Sequence, residues 1–319
     1  MKRLRASRRL AVALAMLALP ALDGRPAHGQ SGAGYARADG ADIRYRVLGA
    51  GRPLLLVNGG PGWSSAHMLP VAERLAESHR VILFDQRGTG ASRLAVLDST
   101  TVTMRAMVED IDALRRHLSI ETWIVMGHSF GGMLAMAYAA EHPEPVEALV
   151  LSAPAGPSLD FLGWYPASLN DRLLPAERET VAYWSDAEIL EADPTQAGYE
   201  IVKASIGAFL YDRSRVGEVL AVIDENTWSV TTSQLVWRDL ARADFDVSQP
   251  LGAFQRPVLV VQGRQDALGD LHAYRVSEIF PNASLQIIEE SAHLMWVDQE
   301  QRYYDAVMGF LKRIPRLTP

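Results

Sequence analysis

The chain has 319 residues, of which 48% are hydrophobic and 22% charged, and its formal net charge is −7. These fractions exclude a disordered or fibrous protein, and the length is sufficient for one large α/β domain or two small ones. The negative charge argues against a nucleic-acid partner, whose phosphates require clustered lysine and arginine. The absence of cysteine excludes a thiol nucleophile and a cysteine-bound metal.

The N-terminus differs in composition from the rest of the chain. Basic residues at positions 2, 3, 5, 8 and 9 precede an apolar stretch at 10–22, and Ala27-His28-Gly29 offers small residues for cleavage. We predict that residues 1–29 are a secretory signal peptide, because the apolar stretch is too short to cross a hydrocarbon core about 30 Å thick. The expected location is periplasmic or extracellular, without stable membrane insertion after cleavage. Arg8 and Arg9 leave both the Sec and the twin-arginine export routes open.

Short apolar runs alternate with helical patterns through most of the remaining sequence. The runs predict strands at 43–48, 53–58, 80–85, 122–126, 146–152, 257–262 and 284–289. Helices are predicted at 102–118, opened by the cluster at 99–101, at 131–141 and at 298–314. The pattern indicates an α/β fold with a mostly parallel central sheet flanked by helices on both sides.

One long segment, residues 155–246, breaks this alternation and is rich in tryptophan and tyrosine. A structureless loop of that length is improbable inside a domain, so the segment is predicted to be an inserted helical cap. The expected organisation is therefore a signal peptide at 1–29, the first part of the core at 30–154, the cap at 155–246 and the second part of the core at 247–319.

Ser129 lies in Gly127-His128-Ser129-Phe130-Gly131, which fits the G-x-S-x-G pattern of a nucleophile elbow. A predicted strand leads into this serine and a predicted helix leads out, as the elbow requires. The glycines remove side chains that would collide at such a sharp turn. We therefore predict Ser129 as a nucleophile.

A serine nucleophile needs a base, and the base needs an acid that orients it. Of the later histidines, His142 fits a helix end and His272 fits a surface position, whereas His293 follows the last predicted strand. Catalytic groups of open α/β sheets gather at such strand ends, so His293 is the predicted base. Asp266, directly after the preceding strand, is favoured as the acid over Asp270.

An oxyanion needs backbone N–H donors, and the stretch from Asn58 to Gly62 forms a suitable turn after a strand. The predicted donors are the amides of Gly60 and Phe130. No Gly-Lys-Ser/Thr follows these glycines, so a phosphate loop is excluded. Asp85 and Arg87 are predicted to form an ion pair that braces the neighbouring loops. The sequence predicts no metal site and no cofactor.

These motifs resemble the α/β-hydrolase superfamily over about residues 38–315, and within it the proline iminopeptidase branch. The closer resemblance rests on the motifs at 59–62, 85–92 and 127–132. It implies Ser129, Asp266 and His293 as a triad, Gly60 and Phe130 as oxyanion donors, and release of an N-terminal residue from short peptides. Asn58 departs from the branch, which usually has histidine there.

The same resemblance implies acidic cap residues that bind the free amine of the substrate. The stretch Glu225-Asn226-Thr227-Trp228 keeps two residues of the corresponding branch motif. Glu225 is the first candidate for binding this amine. Trp228 and Glu200 are further substrate-binding candidates, and Asp224 and Glu218 are additional acidic candidates for contacting the amine. An ammonium group in a closed pocket without a carboxylate would bind poorly.

The sequence as a whole indicates an exported serine hydrolase that acts through an acyl-enzyme on a small-molecule or short-peptide substrate. The favoured activity is an aminopeptidase of proline iminopeptidase type. A carboxylesterase or lactonase is the alternative, because ester cleavage needs neither an amine site nor protonation of a poor leaving group. A non-catalytic ligand-binding protein of the same fold is less favoured, since binding would not require all three triad residues.

Overall fold

The structure, a computed structural model, describes residues 32–315. The predicted signal peptide lies outside the described residues. Within them, one sheet is built from the strands β1 Gly32–Ala38, β2 Ala41–Leu48, β3 Arg52–Val57, β4 His79–Phe84, β5 Arg93–Leu94, β6 Trp123–His128, β7 Val146–Ser152, β8 Val258–Gly263 and β9 Ala283–Ile288.

The sheet is mostly parallel, as predicted. Its order is β1-β2-β4-β3-β6-β7-β8-β9, with β5 beside β2. The pairs from β4 through β9 are parallel, whereas β2 pairs antiparallel with β1, β4 and β5. The carboxyl ends of β3, β6, β7, β8 and β9 therefore meet at one edge of the sheet, where ligand sites of open α/β sheets form.

Helices cover both faces of this sheet. Those of the core are α1 Leu69–Ala76, α2 Met104–His117 and α3 Phe130–Glu141 before the cap, and α10 Ser248–Leu251, α11 Asp270–Ile279, α12 Met295–Asp298 and α13 Glu300–Arg313 after it. In β3, Leu55 packs in the hydrophobic cluster that includes α2 and α3, whereas Leu54 and Leu56 pack in the one that includes α1 and α13. This two-sided burial explains why the strands are continuous apolar runs.

The segment between β7 and β8 is helical. Its described residues form isolated β-bridges but no β-strand. It contains α4 Tyr165–Arg172, α5 Pro175–Trp184, α6 Ala187–Ala192, α7 Pro194–Ser205, α8 Val216–Leu220 and α9 Val230–Arg242. We refer to residues 155–246 as the cap. None of the helices within residues 32–315 combines the length and the apolar character that a membrane span requires.

Each of the seven predicted strands overlaps an observed one, but β1 and β5 were not predicted. β1 is rich in glycine and alanine, and it is held by pairing with β2 across the turn at Gly40, which has a φ of 66°.

The start of α2 also differs from the prediction. Thr103 caps this helix by accepting a hydrogen bond from the Ala106 amide at 3.1 Å, whereas the preceding hydroxyl cluster lies in the turn around Asp98.

Candidate active site

Ser129 stands between the end of β6 and the start of α3, with φ 55° and ψ −122°. This backbone conformation is rare for a residue with a side chain and is found at nucleophile elbows. Hydrogen bonds on both sides hold it: the Ser129 amide donates to the Ser152 carbonyl at 2.9 Å, and the Ser129 carbonyl accepts from Ala155 at 3.0 Å. The turn is thereby tied to the end of β7.

Two glycines make this turn possible because the chain is packed too closely for side chains. A Cβ atom on Gly127 would lie 2.1 Å from the Gly131 carbonyl oxygen, and one on Gly131 would lie 2.3 Å from that of Val57. Both distances are far shorter than van der Waals contact. The elbow is therefore pressed against the end of β3, and its glycines are required by sterics.

Asp266 and His293 are joined by a short hydrogen bond in the loops that follow β8 and β9. The His293 Nδ1 donates to Asp266 Oδ2 at 2.7 Å, and the Leu268 amide donates to Oδ1 at 3.1 Å. Burial alone would raise the pKa of Asp266, but the nearby His293 and these hydrogen bonds hold it below its usual value. The Asp266 carboxylate is therefore ionised at neutral pH, and it fixes the orientation of the imidazole.

Ser129 and His293 line one cavity of about 510 Å³, with Asp266 behind the histidine. The three predicted triad residues thus converge at the carboxyl ends of β6, β8 and β9. Within the described chain no hydrogen bond joins the Ser129 hydroxyl to the His293 ring, and such bonds often tighten only when substrate binds. The cap also contributes to the site, because the Phe209 carbonyl accepts from the His293 amide at 3.0 Å.

The other acid and histidine candidates lie elsewhere. Asp270 is partly exposed and pairs with Arg264. His142 ends α3, as predicted. His272 was expected on the surface, but it is buried, with its Nε2 donating to the Pro154 carbonyl at 3.1 Å. That expectation was wrong because one face of α11 packs against β8 and β9, which brings His272 against the loop that follows β7.

Of the predicted oxyanion donors, Gly60 lines the same cavity as Ser129, and Phe130 directly follows Ser129 in the chain. Among the described residues, neither the Gly60 nor the Phe130 amide donates to a protein acceptor. The turn that carries Gly60 is held by side chains: Asn58 Nδ2 donates to the Trp63 carbonyl at 2.8 Å, and Trp228 Nε1 donates to the Pro61 carbonyl at 3.0 Å. The Asn58 side chain therefore links the two ends of the turn.

The predicted ion pair between Asp85 and Arg87 does not form. Asp85 instead accepts from the Ser65 amide at 2.9 Å and from the Ala91 amide at 2.9 Å. Arg87 makes two bonds to the buried carboxylate of Asp110 in α2, at 2.7 and 2.6 Å. The loops are braced as expected, but by two separate sets of contacts.

Of the substrate-binding candidates predicted in the cap, Glu218 lines the cavity of Ser129, whereas Glu225, Glu200, Trp228 and Asp224 do not. Glu225 is exposed in a separate groove. Glu200 binds Lys203 Nζ at 3.0 Å, and Trp228 supports the Pro61 turn. None of the three lines the cavity of Ser129. The charged residues that do line it are Glu73, Arg74, Glu77, Arg215, Glu218 and Glu300.

Two further histidines line the cavity, and neither was predicted from the sequence to have a role there. His128 lies within the elbow motif, and its Nδ1 donates to the Ser152 carbonyl at 3.1 Å. His67 lies in the 3-10 helix Ser65–Met68, and its Nδ1 donates to the Ser64 carbonyl at 2.9 Å. Burial lowers the pKa of both, that of His67 to about 4, so both are neutral at pH 7. The position of His67 shortly after the Gly-Gly-Pro-Gly turn was the available signal.

One group of side chains within residues 32–315 has ligand atoms close enough to hold a metal ion. It consists of Glu109 in the middle of α2 and of Glu141 and His142 at the end of α3. None of the three lines the cavity of Ser129. Partly exposed acidic groups of this kind are common without a metal, so the cluster has no connection with the chemistry of the site.

Known proteins resemble this chain in sequence and in structure. Residues 52–299 match a family model described as alpha/beta hydrolase fold. A proline iminopeptidase of Lactobacillus crispatus is 25% identical over 290 residues, covering 85% of this chain and 95% of its own. One of Heyndrickxia coagulans is 26% identical over 293 residues, covering 88% and 99%. The structure of a thermophilic esterase from Thermogutta terrifontis is similar, with a TM-score of 0.67 and 22% identity over 89% of this chain and 99% of that one.

Proposed function

Because the chain belongs to the alpha/beta hydrolase family, we propose that it is a serine hydrolase that works through a covalent acyl-enzyme. One observation carries this proposal: Ser129, on a strained turn, shares a cavity with His293, whose imidazole is oriented by the buried Asp266. A nucleophile, a base and an orienting acid are the three parts that acyl transfer requires.

In the proposed reaction, the Ser129 hydroxyl attacks a carbonyl carbon of the substrate while His293 Nε2 takes its proton. The imidazolium, stabilised by Asp266, then protonates the leaving group, and an acyl-enzyme remains on Ser129. Water, deprotonated by the same imidazole, cleaves this ester and regenerates the serine. The unpaired amides of Gly60 and Phe130 stabilise the oxyanion in both steps.

The substrate proposed first is a short peptide from which an N-terminal residue, such as proline, is released. Similarity to proline iminopeptidases over most of the chain supports this substrate. The cavity itself adds support, since it is lined by four glutamates but only two arginines, a balance that favours a cationic ligand such as an N-terminal ammonium group.

Hydrolysis of small esters is a second candidate, favoured by where these carboxylates lie. All four cavity glutamates are solvent-exposed, and two of them pair with arginines, Glu77 with Arg74 and Glu218 with Arg215. The cavity wall also contains apolar side chains, among them Phe209, Val219 and Leu294. An uncharged acyl group would bind there without the cost of burying an ammonium ion.

The test is hydrolysis by the purified protein and by Ser129→Ala of three substrates: proline p-nitroanilide, its N-acetylated form and p-nitrophenyl acetate. Cleavage of the free-amine anilide alone, lost in the variant, is the expected result. Cleavage of the ester without the anilide would favour the second candidate. Activity that survives in Ser129→Ala would contradict the mechanism.

A further inference from the structure

His67 is a buried histidine that the proposed acyl-transfer mechanism does not use, although it lines the same cavity as Ser129. Its backbone precedes α1, and its ring packs edge-on against Trp63 with the centroids 4.8 Å apart. The polar atoms of a buried ring at the wall of a cavity are expected to have hydrogen-bond partners, because an unsatisfied buried polar atom costs free energy.

The hydrogen bond of His67 determines where its proton lies. The Ser64 carbonyl can only accept, so Nδ1 must be the donor in the 2.9 Å contact. A neutral imidazole carries one N–H, and therefore Nε2 has a free lone pair. Among the described residues, no donor binds this atom. The cavity wall thus presents a hydrogen-bond acceptor that carries no charge.

His67, Ser129 and His293 line one cavity, so a ligand bound there can contact all three residues. His128 has a similar free Nε2, but it is only 2% exposed and is packed between His293 and Trp296, with centroids at 4.7 and 4.8 Å. His67 is 8% exposed. His67 is therefore the more exposed of the two histidines that carry a free Nε2.

We propose that His67 Nε2 accepts a hydrogen bond from an N–H or O–H group on the carbon next to the scissile carbonyl. This inference rests on the proposed function and narrows its substrate class to α-amino or α-hydroxy acyl compounds. Such a substituent lies about 2.5 Å from the carbonyl carbon that Ser129 would attack, so it lies within the cavity that His67 also lines. An acyl group without a donor leaves Nε2 buried and unpaired, which selects against it.

The test uses binding, because binding needs no working nucleophile. In Ser129→Ala, Kd is measured by ligand-observed NMR for 2-hydroxy-3-phenylpropanamide and 3-phenylpropanamide, which differ by one hydroxyl, and for phenylalaninamide, which carries the amine. The hydroxyl and amine compounds are each expected to bind about tenfold more tightly than the compound without a donor. A preference for only one of them identifies the donor type.

Adding His67→Phe to Ser129→Ala is expected to abolish this preference, and His67→Gln, which retains an acceptor, is expected to restore part of it. His272→Phe is the matched control, since it also replaces a buried histidine but lies outside the cavity. The inference is overturned if Ser129→Ala shows no preference, or if the preference survives His67→Phe. Failure of the proposed function would appear separately, as anilide or ester hydrolysis that does not depend on Ser129.

Discussion

His293 donates a hydrogen bond to Asp266 over 2.7 Å, and the two residues are 27 positions apart in loops that follow neighbouring strands. Their geometry therefore depends on the pairing of β8 with β9 rather than on local sequence. Asp266 does not line the cavity, so we expect it to act only by fixing the orientation and tautomer of His293.

Asp266→Asn is expected to lower kcat by about 10³- to 10⁴-fold, because an amide N–H facing Nδ1 favours the wrong tautomer of the imidazole. The measurement is steady-state hydrolysis of whichever substrate the protein cleaves. Asp270→Asn is the matched control, since Asp270 is four residues away and pairs with Arg264. Its kcat should stay within about threefold of wild type, and equal losses in the two variants would contradict the assignment of the acid.

Gly131→Ala is expected to lower the free energy of unfolding by about 3 kcal/mol or more. The new Cβ would lie 2.3 Å from the carbonyl oxygen of Val57 and 2.4 Å from that of Asn58, so the elbow or β3 would have to move. Urea denaturation at pH 7 measures the change.

Gly309→Ala provides the control for this glycine. It lies within α13, and a Cβ there would be 3.6 Å from the nearest side-chain atom. Alanine is the better helix former, so this variant is expected to gain up to about 1 kcal/mol. A Gly131→Ala protein as stable as wild type would show that the elbow is not sterically constrained.

Trp228→Phe is expected to lower kcat by about tenfold while KM changes less than twofold. The substitution removes the N–H that binds the Pro61 carbonyl at 3.0 Å, which loosens the turn carrying the Gly60 amide. Trp184→Phe, elsewhere in the cap and outside the cavity wall, should leave both constants unchanged. A rise in KM alone for Trp228→Phe would instead support the original prediction that this residue binds substrate.

His67 should make the fold sensitive to acid. Its pKa is about 4 in the folded protein, against about 6.5 when unfolded, because burial disfavours the charged ring. Between these values the unfolded chain binds the extra proton, so stability falls as pH drops from 6.5 to 4. The contribution of one such group is at most about 3 kcal/mol.

His67→Phe should therefore lose about 2 kcal/mol less than wild type between pH 7 and pH 4.5 in urea denaturation. The comparison is made within each protein, so any uniform destabilisation by the substitution cancels. The buried histidines His128 and His272 also have lowered pKa values, but they are present in both proteins. Identical pH dependence in the two proteins would mean that His67 is already charged near neutral pH.

Features that depend on local sequence were predicted well. Strands buried on both faces are continuous apolar runs, and the elbow of Ser129 needs closely spaced glycines. Both features can therefore be predicted from a few consecutive residues of the sequence. β1 was not predicted because its glycine- and alanine-rich sequence has weak strand propensity and depends on pairing with β2.

Contacts between distant positions were predicted less well. Asp85 and Arg87 are near in sequence, but the backbone between them turns their side chains to different partners, and Arg87 binds Asp110 in α2. The path of the cap likewise leaves Glu225 outside the cavity, whereas residues of α1 and α8 line its wall. Spacing along the chain cannot specify which of many carboxylates reach a cavity built from separate segments.

The insertion of the cap between β7 and β8 has a consequence for folding and for divergence. The cap leaves and rejoins the core at one place, because the Val247 amide donates to the Pro157 carbonyl at 3.0 Å and Ser158 forms a β-bridge with Asp246. The entropic cost of closing such an excursion grows only with the logarithm of its length, about 0.6 kcal/mol per doubling. The cap can therefore lengthen, shorten or be exchanged at little cost to the sheet. Substrate selectivity can therefore change during evolution while the positions of Ser129, Asp266 and His293 are retained.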